Sequence, residues 1–130
     1  MYTDTLTRYA PRMLSVLRIM VGLLFLAHGT MKHLGFPASE QVPPPGSLGS
    51  IAGWFELIGG ALFVLGLFTR PVAFVLSGLM AFAYFLAHAP SSFFPAMNGG
   101  DAAVLYCFVF LYFVFAGPGV WSVDAARARD

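Results

Sequence analysis

Four stretches of this chain, residues 13–32, 51–68, 71–88 and 101–116, are apolar over 16 to 20 residues each. A helix needs about 20 mostly apolar residues to cross ~30 Å of hydrocarbon. No other feature of the sequence limits the fold as tightly. A water-soluble domain of this length has no interior large enough for four such helices. Charge points the same way: 58% of the residues are hydrophobic and only 10% are charged, against about 25% in an average soluble domain. So few charges do not cover a water-facing surface, which excludes a soluble globular enzyme. The net charge is +1 and the seven Lys and Arg form no basic run, which excludes a nucleic-acid binder. A single cysteine, Cys107, allows no intrachain disulfide and no CxxC pair. The expectation is one all-α domain over residues 1–130, a membrane-embedded four-helix bundle whose surroundings are the lipid bilayer.

Breakers punctuate the four stretches. Pro71 suits the first turn of a helix, and Gly117-Pro118-Gly119 ends the fourth stretch. Thr69-Arg70 reads as a tight turn between the second and third. A loop with Pro43-Pro44-Pro45 reads as a stiff spacer between the first and second, and semi-apolar residues 89–100 join the third to the fourth. Four spans put Arg8, Arg12, Arg70, Arg127 and Arg129 on one side and Lys32 on the other. By the positive-inside rule both termini are cytoplasmic, with Trp121 at the inner interface and Trp54 near the outer one. Arg18 interrupts the first stretch and no A-x-A site follows it, so this stretch reads as a span and not as a cleaved signal.

Ionisable groups inside spans are costly, at roughly 2.5–3.5 kcal/mol each near the helix centre, and they turn inward to find partners. At ~1.5 Å of rise per residue, His28, Lys32, Glu56, His88, Asn98 and Asp101 fall in one outer-half layer, with Tyr84 one turn before His88 as a further donor. Arg18 lies near the inner face, where Asp124 is its expected partner. Helical phasing groups Arg18, Gly22, Phe25, Gly29 and Lys32 on span one, with His28 at the edge of the stripe. It groups Ala52, Gly53, Glu56, Gly59 and Gly60 on span two, and Ala73, Ser77, Ala81, Tyr84 and His88 on span three. On span four it groups Asp101, Leu105, Phe108 and Tyr112. The sequence FLAH occurs at 25–28 and again at 85–88, as two parallel hairpins about an axis along the membrane normal would produce.

Particular motifs resemble the DoxX family of small membrane proteins over residues 17–124. LRIMVGLLFLAHGTMKHLG from residue 17 is similar to the family's opening helix, with its arginine, histidine-glycine and lysine. FELIGGALFVLGLFTRP from residue 55 is similar to its glutamate, glycine pair and GLFTR turn. MAFAYFLAHAPSSFFP follows, and NGGDAAVLYCFVFLYFVFAGPGVWSVD resembles its closing segment. Asp101 stands where many relatives carry glutamate, which keeps the charge and shortens the reach. The resemblance implies a four-helix bundle in a bacterial inner membrane. It also implies a redox-associated role, linked in some relatives to thiosulfate:quinone oxidoreduction and in others to thiol-redox partners. By residue match Arg18, His28, Lys32, Glu56, His88, Asn98 and Asp101 are the family's polar positions.

Three functions fit these residues. The first is an oxidoreductase component working with a quinone or a redox protein partner. Histidines and carboxylates supply the donors and the proton route that a quinone head needs. The second is a non-catalytic scaffold or anchor, in which the polar layer pairs helices within one copy or a homo-oligomer. The third is a small-solute transporter, although the polar layer does not continue through the membrane. Two other cofactors compete with a quinone. A haem would sit between His28 and His88, where Phe25 and Phe85 crowd the space. A metal would use His28, His88 and Glu56; no HExxH is present, and His28 and His33 lie about 140° apart on a helix, so no metal set is assigned. Cys107 reads as packing, because a thiolate is disfavoured in hydrocarbon.

Overall fold

The structure is a computed structural model that describes residues 2–129. The elements are α1 (Tyr2–Leu34), α2 (Leu48–Leu65), α3 (Thr69–Ala83), α4 (Pro95–Asn98), α5 (Asp101–Ala116) and α6 (Val123–Ala128). Helix α3 runs on into a π-helical turn, Tyr84–His88. No strand occurs among the described residues. Three helices are long and apolar enough to cross a membrane: Thr3–Leu34, Leu48–Leu65 and Thr69–His88. Helix α5 is apolar but shorter, at 16 residues.

Local chemistry moves several expected boundaries. Helix α1 begins at Tyr2 and not at residue 13, and it carries Pro11 inside it. Helix α2 starts three residues earlier than its apolar run because the Ser47 side chain accepts the Ser50 N–H and caps it. It also ends earlier, where Gly66 takes the left-handed conformation at φ 68°. The turn between α2 and α3 is therefore residues 66–68, and Thr69 and Arg70 already belong to α3. Helix α5 keeps the bounds read from its sequence.

Helix α1 packs along α2, and α3 packs along α5, while α2 and α3 touch over a smaller area. The α1–α2 seam is made of small residues. A Cβ on Gly60 would lie 2.9 Å from the Leu26 Cα, and one on Gly22 would lie 3.1 Å from the Val64 nitrogen. Gly29 sits closer still, against the Leu57 backbone. Without a hydrophobic drive between helices in lipid, such close contact is a main source of cohesion. Across the other seam Ser77 Oγ donates to the Cys107 carbonyl at 2.8 Å.

The core is aromatic. Phe63 stands edge-on to Phe110 and to Phe113, and Phe110 edge-on to Phe25, each with centroids 5.0 Å apart. All four rings are buried, and they tie α1, α2 and α5 together in the favoured T-shaped geometry. This corrects the inward face expected of the fourth stretch. Leu105, Phe108 and Tyr112 are 59–66% exposed, and Asp101 is exposed as well. The face that turns inward carries Ala103, Tyr106, Phe110 and Phe113. Aromatic residues surround the whole helix, so polarity gives no phase; the small Ala103 and the ring packing decide it.

The close seam yields a paired prediction. Gly60→Ala forces α1 and α2 apart and lowers stability by about 1–3 kcal/mol, the usual range for overpacking. Gly78→Ala meets open space within 4 Å and leaves the melting temperature in detergent unchanged or slightly higher. Equal melting of the two variants would show that the seam does not hold the fold.

Candidate functional site

One end of the helix assembly encloses a cleft of about 530 Å³, lined by α1, α2, the end of α3 with its π turn, and α5. Its walls are mostly apolar. Leu48 and Ile51 of α2 and Phe82 and Leu86 beyond the α3 midpoint form an exposed rim. The opening therefore faces sideways between α2 and α3. The polar groups in the wall are His28, Lys32, Glu56, His88 and Tyr106.

Glu56 is the deepest of these, only 6% exposed. Its Oε1 accepts from Lys32 Nζ at 2.9 Å. Its Oε2 is buried and has no hydrogen-bond partner. Gly53 makes the pair reachable, because a Cβ there would lie 2.9 Å from Lys32 Cδ and 2.7 Å from His33 Nε2. Lys32 and His33 thus cross α2 over bare backbone. His33 then bonds the Ser50 carbonyl at 2.8 Å and stacks on Trp54, which fixes the α1–α2 hairpin at this end.

The expected polar layer divides into three groups. His28, Lys32, Glu56 and His88 share the cleft. Tyr84 and Asn98 lie beside it and spend their polar atoms on the 89–100 segment. Asn98 donates to Tyr84 Oη at 3.0 Å and to the Ser92 carbonyl at 2.9 Å, and its Oδ1 accepts the Gly100 N–H at 2.8 Å. Tyr84 in turn donates to the Phe93 carbonyl at 3.1 Å. His88 Nδ1 lies 3.1 Å from the Asn98 carbonyl oxygen and its ring stacks near Tyr84, so this network orients His88. Asp101 is exposed in the first turn of α5, where a carboxylate suits the helix N-terminus, and it does not line the cleft.

Sequence reasoning did not single out Tyr106. It lies within electrostatic reach of Glu56 and packs edge-on to Phe25. No sequence signal marked it, because the inward face of α5 has no phase in a helix that is aromatic all round. The FLAH repeat places both histidines on one cleft, yet Phe25 is buried and Phe85 is 68% exposed. The π turn at the second copy breaks the equivalence. Among the described residues no three His, Cys, Asp or Glu side chains gather as a metal-binding set.

The other end is built from helix termini. Arg18 is 1% exposed. It donates to the carbonyls of Pro118, of Trp121 at 2.7 Å and of Val64 in the last turn of α2 at 3.3 Å. Arg70 donates to the carbonyls of Val114 and Phe115 at 2.9 and 2.8 Å, at the end of α5. Asp124 accepts the Phe68 and Thr69 N–H groups, one on each oxygen, both at 2.9 Å. The direct Arg18–Asp124 ion pair expected from the sequence is thus replaced by two separate sets of backbone contacts. Each charge sits where the helix dipole favours its sign.

Together these features define a membrane-type helical protein with a lateral, mostly apolar cleft. The chain belongs to the DoxX family, whose model matches residues 13–89. It is 45% identical to an uncharacterized protein of Haemophilus influenzae, over 93% of this chain and 95% of that one. It is 29% identical to an uncharacterized membrane protein of Mycobacterium tuberculosis, over 87% of this chain and 80% of the other. No solved structure matches the chain.

Asp124 gives a pH-dependent prediction. Burial pushes its carboxyl up, but the N–H groups of Thr69 and Phe68 and the nearby Arg127 charge outweigh this and hold it below the ordinary carboxylate value. A depressed folded-state value adds stability that is full above the unfolded value of about 3.9 and disappears as pH falls through the folded one. Asp124→Ala is expected to cost about 1 kcal/mol near neutral pH, as loss of a helix cap does. In melts from pH 7 to pH 2, the gap between wild type and variant should close only below about pH 4. A gap constant across that range would remove the capping role.

Proposed function

We propose that this DoxX protein is a four-span protein of the bacterial inner membrane with cytoplasmic termini. Its cleft takes the head of an amphipathic, quinone-type molecule, in a redox-associated role alongside a redox protein partner. The observation that carries this reading is the buried, unpartnered Oε2 of Glu56, a residue in the wall of a mostly apolar cleft. A buried acceptor without a donor is costly, and a ligand hydroxyl would satisfy it. Lys32 Nζ donates to the other oxygen at 2.9 Å, so the carboxyl group serves as an acceptor on that side. Tyr106 and the imidazoles of His28 and His88 offer donors to a ligand oxygen. The sideways opening at the α2–α3 rim suits a molecule with an apolar tail arriving from the bilayer.

The chain holds one cysteine and no dinucleotide fingerprint, so electrons have to come from or go to another protein. The sealed core of Phe25, Phe63, Phe110 and Phe113 lies next to the polar groups, which favours a binding cleft over a transport path through one copy. Orientation is supported by the gathering of Arg70, Arg127 and Arg129 at the Arg18 end, with Lys32 at the other.

The test is titration of the purified protein in nanodiscs with a short-chain ubiquinol analogue. Glu56→Gln should weaken binding by roughly tenfold or more, as expected for loss of a hydrogen bond to a charged group. Asp101→Asn, outside the cleft, should leave binding as in wild type. Unchanged affinity in a correctly inserted Glu56→Gln protein would sink the reading.

A further inference from the structure

At the Arg18 end a separate pocket of about 390 Å³ is lined by Arg8, Pro11, Arg12, Val120, Trp121 and Arg129. It has no part in the cleft. We propose that Arg8, Arg12 and Arg129 form a binding site for the phosphate of an anionic phospholipid headgroup.

Three observations carry this. First, the arginines converge from opposite parts of the chain. Arg8 and Arg12 are four residues apart on one face of α1, and Arg129 follows α6. Fold geometry, not a basic run, therefore makes the positive pocket. Second, none of the three is in an ion pair among the described residues. Among the described residues the one salt bridge is Lys32–Glu56, and none of the three guanidiniums donates a hydrogen bond to a protein group. Among the described residues Arg12 alone of the three has a partner, the Tyr9 ring 5.2 Å from its Cζ, a contact with the guanidinium face that uses none of its N–H groups. Like charges held close together are stabilised by an anion between them, and the guanidinium fork matches phosphate oxygens two at a time.

Third, the height is that of headgroups. Arg18 is level with the end of α2 and with residues 118–121, whose carbonyls it binds. At 1.5 Å per residue, Arg12 lies about 9 Å and Arg8 about 15 Å further along α1. Both are past the apolar ends of α2 and α5. Exposed Leu6 and Met13 flank them on α1, and exposed Val120 and Trp121 face them. Apolar side chains at this height suit the boundary between headgroups and acyl chains, and Trp favours that layer. A soluble phosphate compound would gain nothing from that apolar rim, whereas a lipid would.

The experiment is native mass spectrometry of the full chain released from detergent after incubation with dioleoylphosphatidylglycerol or dioleoylphosphatidylcholine, with and without inorganic phosphate. Wild type should retain phosphatidylglycerol preferentially. Arg8→Gln, Arg12→Gln and Arg129→Gln should each lower retention by roughly fivefold, the weight of one basic residue near an anionic surface. The charge-matched control is Arg127→Gln, whose guanidinium lies over Phe68 and outside the pocket. Its retention should equal that of wild type. Loss of equal size in the control would overturn the site in favour of diffuse attraction. So would equal retention of the two lipids, and displacement of phosphatidylglycerol by millimolar inorganic phosphate would assign the pocket to a soluble anion instead. The outcome is independent of what binds at Glu56.

Discussion

The organisation of one end of the molecule depends on Arg18 reaching carbonyls at the ends of other elements. Helix ends leave N–H and C=O groups unsatisfied, and hydrocarbon offers no water to satisfy them. Arg18 spreads one guanidinium over the end of α2 and over the segment that follows α5. Gly66 permits this twice over, by its positive φ and because a Cβ there would lie 3.0 Å from Arg18 Cζ. Arg70 and Asp124 extend the scheme to the end of α5 and the start of α3. Burying a cation in a membrane helix is costly in isolation. Here its hydrogen bonds replace those that the buried carbonyls would otherwise lack.

The opposite end is organised by close approach and its local failure. Glycines bring α1 and α2 into backbone contact, the Ser77 bond joins α3 to α5, and the ring cluster ties α5 to α1 and α2. Helices α2 and α3 share less surface, and the cleft opens between their ends. Tyr84, Asn98 and the π turn hold His88 at its edge. π-Helical turns of this kind are frequent at functional sites. The rigid end and the open end therefore follow from one division of labour, with helix termini tied at one side and side chains left facing a cavity at the other.

Family membership and the uncharacterized relatives define the class of protein and leave the chemistry to the residues. Among these, Glu56 is the most constrained. It lines the cleft, its side chain is buried, one oxygen is bound by Lys32, and the other has no donor.

The sequence by itself determined the helical class, because four apolar stretches separated by Gly and Pro permit little else. It also determined the inward stripe of α1, where Arg18, Gly22, Phe25 and Gly29 are all buried, since small and charged residues alternate there with Leu and Val at helical spacing. It brought Lys32, Glu56, His28 and His88 to a common depth, because rise per residue is fixed. Tertiary structure decided the rest. The inward face of α5 was invisible, since a helix aromatic on every side carries no phase. The partners of Arg18 and Asp124 were also hidden, because backbone carbonyls and N–H groups are the same in every sequence. Only packing sets which of them are left exposed at a helix end within reach of a charge.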